Sequence, residues 1–172
     1  MTETKRSKIT SSAEFLAYLE KLGIPFVNTP HPPAFTVEDG NKYWADIKGV
    51  HCKNIFCKDA KDRLWLIVAP ANEPVNLKTL PEKIGSKRLS FASPAIMEET
   101  LGVTPGSVTP FGLINDTELK ISVVLDKSMM EAELINFHPL ENTATTTVTP
   151  KGLMDFIAHC GHRPQIAKVT ES

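Results

Sequence analysis

The sequence predicts an α+β fold: one domain built on a mixed, largely antiparallel β-sheet flanked by helices. Three observations carry this. Of the 172 residues, 41% are apolar and no long polar tract interrupts them, which suits one good core and would be cramped for two. Runs rich in β-branched and aromatic residues follow one another directly, as at 53–57 and 63–69. Helical segments fall between them singly, without the strict strand–helix alternation of a doubly wound fold, and no internal repeat is present.

Ser11-Ser12-Ala13-Glu14 reads as a capping box, and Phe15, Leu16, Leu19 and Leu22 then recur at helical spacing until Gly23 supplies a stop. A short strand is expected over 24–28, a Pro-rich loop over 29–33, and a helix over 36–47 capped by Thr36 with Glu38 and Asp39 in its first turn. The runs 53–57 and 63–69 form a hairpin about the charged turn 58–62, and the second run, apolar on both faces, belongs in the middle of the sheet. A short helix near 80–84 and a strand near 88–91 follow. Ser93-Pro94 then opens a helix that Gly102 closes. Strands are expected at 111–114, 120–125, 133–137 and 143–149, and Thr149-Pro150 opens a last helix running to Cys160. Residues 1–9 and 167–172 are expected to be flexible tails of the single domain 1–172.

The formal net charge is −1, so the chain lacks the broad basic surface of a protein that binds nucleic acid by charge alone. Lys83, Lys87 and Arg88 form a local basic cluster that can touch phosphates or simply sit solvated. No apolar run has the length of a membrane span, and the first residues lack the apolar stretch of a signal peptide, so a cytoplasmic protein without membrane contact is expected. The three cysteines, Cys52, Cys57 and Cys160, suggest no disulfide framework. Together with His51, His159 and His162 they lack the spacing of a zinc site, and no Walker loop, dinucleotide glycine pattern or nucleophile elbow occurs. Neither a metal nor a cofactor is expected.

The segment 102–112 is the richest in constrained residues. Gly102, Gly106 and Gly112 can take positive φ or let another backbone approach, while Pro105 and Pro110 stiffen the chain and remove two donors. The remaining amides are pre-aimed, and such amides hold carbonyls, carboxylates or phosphates. An ordinary helix-to-strand connection would have the same composition. Lys53 opens a buried strand, so its ammonium either snorkels to solvent or stands at a pocket rim. Strand alternation points Asn54 to the opposite face, so the two reach one ligand only if the strand is bulged. His138 ends a strand just before Pro139, a place where side chains line a cleft mouth, though a structural histidine fits equally. Asn115-Asp116 reads as a turn in which the aspartate caps its own backbone.

Four segments taken together, His31-Pro-Pro-Ala-Phe-Thr-Val-Glu38, Lys53-Asn-Ile-Phe56, Gly106-Ser-Val-Thr-Pro110 with Phe-Gly-Leu-Ile-Asn-Asp116, and Asn136-Phe-His-Pro-Leu140, resemble the YbaK/ProX-type aminoacyl-tRNA deacylases. The resemblance runs in order over residues 10–165 and is nearest to the free-standing prolyl-tRNA editing proteins that remove alanine from tRNA for proline. It implies a catalytic set of Lys53, Gly106 and His138, and a substrate pocket of Phe35, Thr36, Val37, Asn54, Ser107, Val108, Thr109 and Pro110. It also implies the acceptor end of mischarged tRNA for proline as partner, with prolyl-tRNA synthetase as a second. Cys57 and Ala34 stand where more usual aliphatic residues are expected, and Ala34 would reshape the pocket near Phe35. A cysteine-specific deacylase of the same superfamily, and a module of this fold that binds tRNA or synthetase without hydrolysis, remain open at this point.

Overall fold

The computed structural model describes residues 8–33 and 47–171. The expected helix over 36–47, and with it Phe35, Thr36, Val37 and Ala34, lies outside the described residues, apart from Ile47. Among the described residues eight strands form one mixed sheet: β1 (Val27–Pro30), β2 (Val50–Asp59), β3 (Leu64–Pro70), β4 (Leu89–Phe91), β5 (Ile121–Asp126), β6 (Ile135–Phe137), β7 (Ala144–Val148) and β8 (Gln165–Ala167). Their order is β1-β7-β6-β2-β3-β5-β8, with β4 pairing β2. The pairs β1–β7, β2–β3, β2–β4 and β6–β7 are antiparallel; β2–β6, β3–β5 and β5–β8 are parallel.

The helices are α1 (Ser12–Leu22), α2 (Leu80–Ile84), α3 (Pro94–Leu101) and α4 (Pro150–His159), and three of them start as the sequence dictates. Ser11, Ser93 and Thr149 each turn a side-chain oxygen onto the amide three residues on, satisfying a donor that no helical turn can reach. Gly23, Gly85 and Gly102 close α1, α2 and α3 with φ of 74°, 80° and 70°, a conformation that costs glycine nothing.

Two cores lie on opposite faces of the sheet. On β3 the alternation divides them: Leu64, Leu66 and Val68 join one, Trp65, Ile67 and Ala69 the other. The larger core is covered by α1, α3 and α4, and its centre is aromatic, with Phe111 4.4 Å from Phe15, 5.5 Å from Phe156 and 5.5 Å from Phe137 between ring centroids. The smaller core is covered by α2 and by Val169 near the C-terminus. Among the described residues no helix is long and apolar enough to cross a membrane.

Four expectations need correction. The strand expected at 24–28 begins at Val27, because the Ile24 amide is spent on the Leu19 carbonyl in the helix-terminating turn. The strand expected at 111–114 is a 3-10 helix, Pro110–Asn115: Pro110 has helical φ, and Thr109 Oγ1 accepts from the Phe111 amide at 3.3 Å as a cap. β8 was not foreseen, being three residues long with two of them exposed. Residues 168–171 are packed and not a tail, since the Val169 amide donates to Asp126 Oδ1 at 3.0 Å and the Glu171 amide to the Pro74 carbonyl at 2.9 Å.

Candidate functional site

β2 is long enough to serve two neighbours along one edge, and the site lies where the first ends and the second has not begun. On its other edge β3 pairs continuously from Cys52 to Lys58. On the edge in question β6 pairs only Val50 and His51, while β4 pairs Cys57 to Asp59 and Ala92 donates its amide to Phe56. Residues 52–55 therefore face no described strand there. The opening falls at the carboxyl end of β6, where two parallel strands part, the position at which sheets that contain parallel strands form crevices.

Three of the residues singled out from sequence stand at this gap. Extending the pairing of His51 with Asn136 by two residues would set Lys53 level with His138, but the ladder stops and the two strands separate. His138 follows β6 directly and lines a small cleft with His51, Cys52, Asn136, Phe137 and Thr145. Its Nδ1 lies 3.3 Å from the Ala144 carbonyl. Burial pushes its pKa below the usual 6.5, against the Ala144 carbonyl and with help from the nearby His31, so the ring is neutral at physiological pH. His31 Nε2 is 2.7 Å from Thr145 Oγ1, which fixes a second imidazole beside the first.

Lys53 pairs Ala69 and so shares the face of the smaller core; Asn54 pairs Val68 and shares the face of the larger. The pairing is continuous, without a bulge. The two side chains therefore leave β2 on opposite faces, and one ligand meets both only across the edge at residues 52–55 that no described strand pairs. Lys53 Nζ donates to the Glu73 carbonyl at 2.5 Å, and burial lowers its pKa while the Glu73 charge raises it. Among the described residues Asn54 Oδ1 is buried and accepts no hydrogen bond.

The segment 105–110 lies on the Asn54 side of the sheet, since Val108 and Phe111 belong to the larger core. Gly106 sits in a 3-10 turn, Pro105–Ser107, and not at positive φ. Of the three glycines, Gly102 supplies the positive φ and Gly112 the close approach: a Cβ there would lie 2.9 Å from the Leu101 carbonyl oxygen. Ser107 and Gly112 spend their amides on Thr104 and Thr109, whereas among the described residues the amides of Gly106, Val108 and Thr109 meet no acceptor. Ser107, Val108, Thr109 and Pro110 are buried, and Gly106 is half-buried. No hydrogen bond between described residues joins this segment to Lys53 or Asn54. The segment is pinned from behind by Asn115, whose Nδ2 donates to the Ile9 and Leu101 carbonyls, each at 2.8 Å.

Sequence reasoning missed the gap itself and gave no site role to Thr145 or to Asn136, which was visible only within the motif 136–140. Thr145 and Asn136 meet the cleft only because β7 and β6 pair beside β2, a tertiary fact with no local signal. His31 was visible only as part of a longer motif.

A model of the aminoacyl-tRNA editing domain matches residues 31–156. The chain is 37% identical over 150 residues to the prolyl-tRNA editing protein ProX of Acetoanaerobium sticklandii, covering 86% of this chain and 90% of that one. It is 40% identical over 158 residues to prolyl-tRNA synthetase associated domain-containing protein 1 of Xenopus laevis, covering 89% and 94%. The fold is shared with the crystal structure of a candidate trans-editing enzyme for prolyl tRNA synthetase, with a TM-score of 0.69 at 18% identity over 96% of this chain and all of the other.

Proposed function

The chain belongs to the aminoacyl-tRNA editing domain family, and from that premise we propose that it is a trans-editing deacylase that hydrolyses alanine wrongly esterified to tRNA for proline. The observation that carries the chemical reading is the edge gap in β2, with a half-buried lysine on one side and a buried, unpartnered asparagine oxygen on the other.

An aminoacyl ester is already activated, so its hydrolysis calls for a positioned water and support for the oxyanion more than for a strong base. Water adds to the ester carbonyl. The tetrahedral intermediate then expels the ribose oxygen, which takes a proton, and free amino acid and tRNA leave. In the gap, Asn54 Oδ1 accepts from the substrate's ammonium group, which supplies the donor this buried oxygen lacks. Lys53 anchors a phosphate or carbonyl oxygen by turning its ammonium from the Glu73 carbonyl to the substrate. Gly106, Val108 and Thr109 offer amides for the carbonyl oxygen, with Ser107 and Pro110 shaping that wall. The neutral His138 shapes the cleft or holds the ribose hydroxyl next to the ester. Phe35, Thr36 and Val37 complete the pocket in this reading.

Selectivity works by size. A synthetase pocket built for proline rejects alanine by only about 1–3 kcal/mol per missing methylene, so a second, smaller pocket that admits alanine and excludes proline restores accuracy. With a net charge of −1, recognition concentrates on the acceptor end of the tRNA, in concert with prolyl-tRNA synthetase. The test is deacylation of alanine-charged tRNA for proline by the protein and by Lys53→Ala. Hydrolysis that the substitution abolishes supports the reading. A protein that leaves the ester intact would be a binding module instead.

A further inference from the structure

Phe91 is 70% exposed at the end of β4, an unusual position for a phenylalanine. It stands opposite Cys57, and Cys57 shares a sheet face with Ile55 and Lys53, so Phe91 presents its ring on the lysine's side of the sheet. Cys57 lies four positions along β2 from Lys53, a distance of about 13 Å. Between α2 and the start of β4, two residues before Phe91, runs an open groove of about 610 Å³ lined by Leu77, Lys78, Pro81, Glu82, Arg88 and Leu89. Lys83 is tied to Glu171 at 3.5 Å, but among the described residues no carboxylate pairs with Lys78, Lys87 or Arg88. An exposed aromatic ring between the candidate site and a groove that carries Lys78 and Arg88 against the single carboxylate of Glu82 fits a single-stranded nucleic-acid track, in which bases stack on the ring and phosphates follow the positive charge.

We infer that β4 and the adjoining groove bind the single-stranded 3′ tail of the tRNA, with a base of the tail stacked on Phe91 and its phosphates passing Arg88 and Lys87, so that the terminal ester reaches Lys53. This rests on the deacylase reading for its ligand, and it adds a recognition surface outside the pocket. Residues 86–91 thereby acquire a role in a chain whose overall charge gives no hint of RNA binding.

The test uses uncharged RNA, so it does not depend on hydrolysis. A dye-labelled single-stranded RNA ending in CCA is titrated by fluorescence anisotropy with the full chain, Phe91→Ala, Phe91→Trp and Arg88→Ala, each checked for an unchanged melting temperature. Phe91→Ala weakens binding about 5- to 150-fold, the range for one lost base–aromatic stack, and Phe91→Trp retains it. Arg88→Ala lowers the slope of log affinity against log salt by about 0.7. Equal binding by the full chain and Phe91→Ala, or no binding by any of the four, overturns the inference. Either result leaves the deacylase reading to be judged by hydrolysis of the charged tRNA.

Discussion

Asp59 ties the end of β2 to β3 and to the segment leading into β4, and replacing it should cost stability in two distinguishable steps. Its carboxylate is buried and accepts four hydrogen bonds: Oδ1 takes the amides of Lys61 at 2.9 Å and Arg63 at 3.0 Å, and Oδ2 takes Trp65 Nε1 at 3.0 Å and the Lys87 amide at 3.4 Å. Asp59→Asn keeps one carbonyl oxygen, enough for one of these pairs. The amides of Lys61 and Arg63 lie in an exposed turn and can turn to water, whereas the buried Trp65 indole cannot, so the amide keeps its oxygen on Trp65 and gives up the turn. Losing two charge-assisted bonds that water partly replaces costs about 1–2 kcal/mol. Asp59→Ala also strands the indole N–H, which adds about 1–3 kcal/mol for a total of about 2–5 kcal/mol. Urea unfolding measures both as a lowered midpoint at unchanged slope. Adding Trp65→Phe to Asp59→Ala removes the orphaned donor and should recover part of the loss as a favourable coupling. Two substitutions of equal cost, or a cost below about 0.5 kcal/mol for both, would refute the view that this carboxylate organises the β2–β3–β4 junction.

Gly112→Ala drives a methyl against the Leu101 carbonyl at 2.9 Å, a backbone contact that cannot rotate away, and should cost about 1–3 kcal/mol in thermal unfolding while displacing the 105–110 segment and slowing deacylation. A melting temperature equal to that of the unsubstituted chain would mean that the two segments yield freely. Stability should also fall in acid. Burial pushes the Asp116 carboxyl up, but the side chain of His162, whose Nε2 lies 3.1 Å away, and the Lys120 and Ile121 amides outweigh it, so the pKa is held below the usual 3.8. A depressed carboxylate contributes stability that is fully present above the unfolded value and is lost as pH falls through the folded one. Asp116→Asn should therefore flatten the stability curve below about pH 4 relative to the parent chain, and an unchanged curve would count against the assignment.

Much of the fold is legible because its signals are local. Ser11, Ser93 and Thr149 announce helix starts, Gly23 and Gly102 announce stops, and the unbroken apolar run at 64–69 announces a central strand. Failures came where a distant partner decides. Phe111 to Ile114 have the composition of a strand but become a 3-10 turn because Pro110 and the Thr109 cap fix its start and Leu101 lies against Gly112. β8 and the packed residues 168–171 depend on Asp126, whose buried carboxylate accepts from Ser128, Met129 and Val169 and carries no marker in sequence. At the candidate site, Lys53, Asn54 and His138 were visible as residues. Their common setting was not, because an edge gap belongs to the pairing of β2 with β6 and β4 and to no single segment.

The proposed function places an alanine-selective ester hydrolysis at the gap in β2. It is tested most directly by following tRNA for proline charged with alanine, cysteine or proline through deacylation by the full chain and by Lys53→Ala. Alanine released well ahead of cysteine and proline, with release lost in Lys53→Ala, is the predicted result. Cysteine released first would assign the pocket to a different amino acid, and hydrolysis undiminished in Lys53→Ala would contradict the placement of the chemistry.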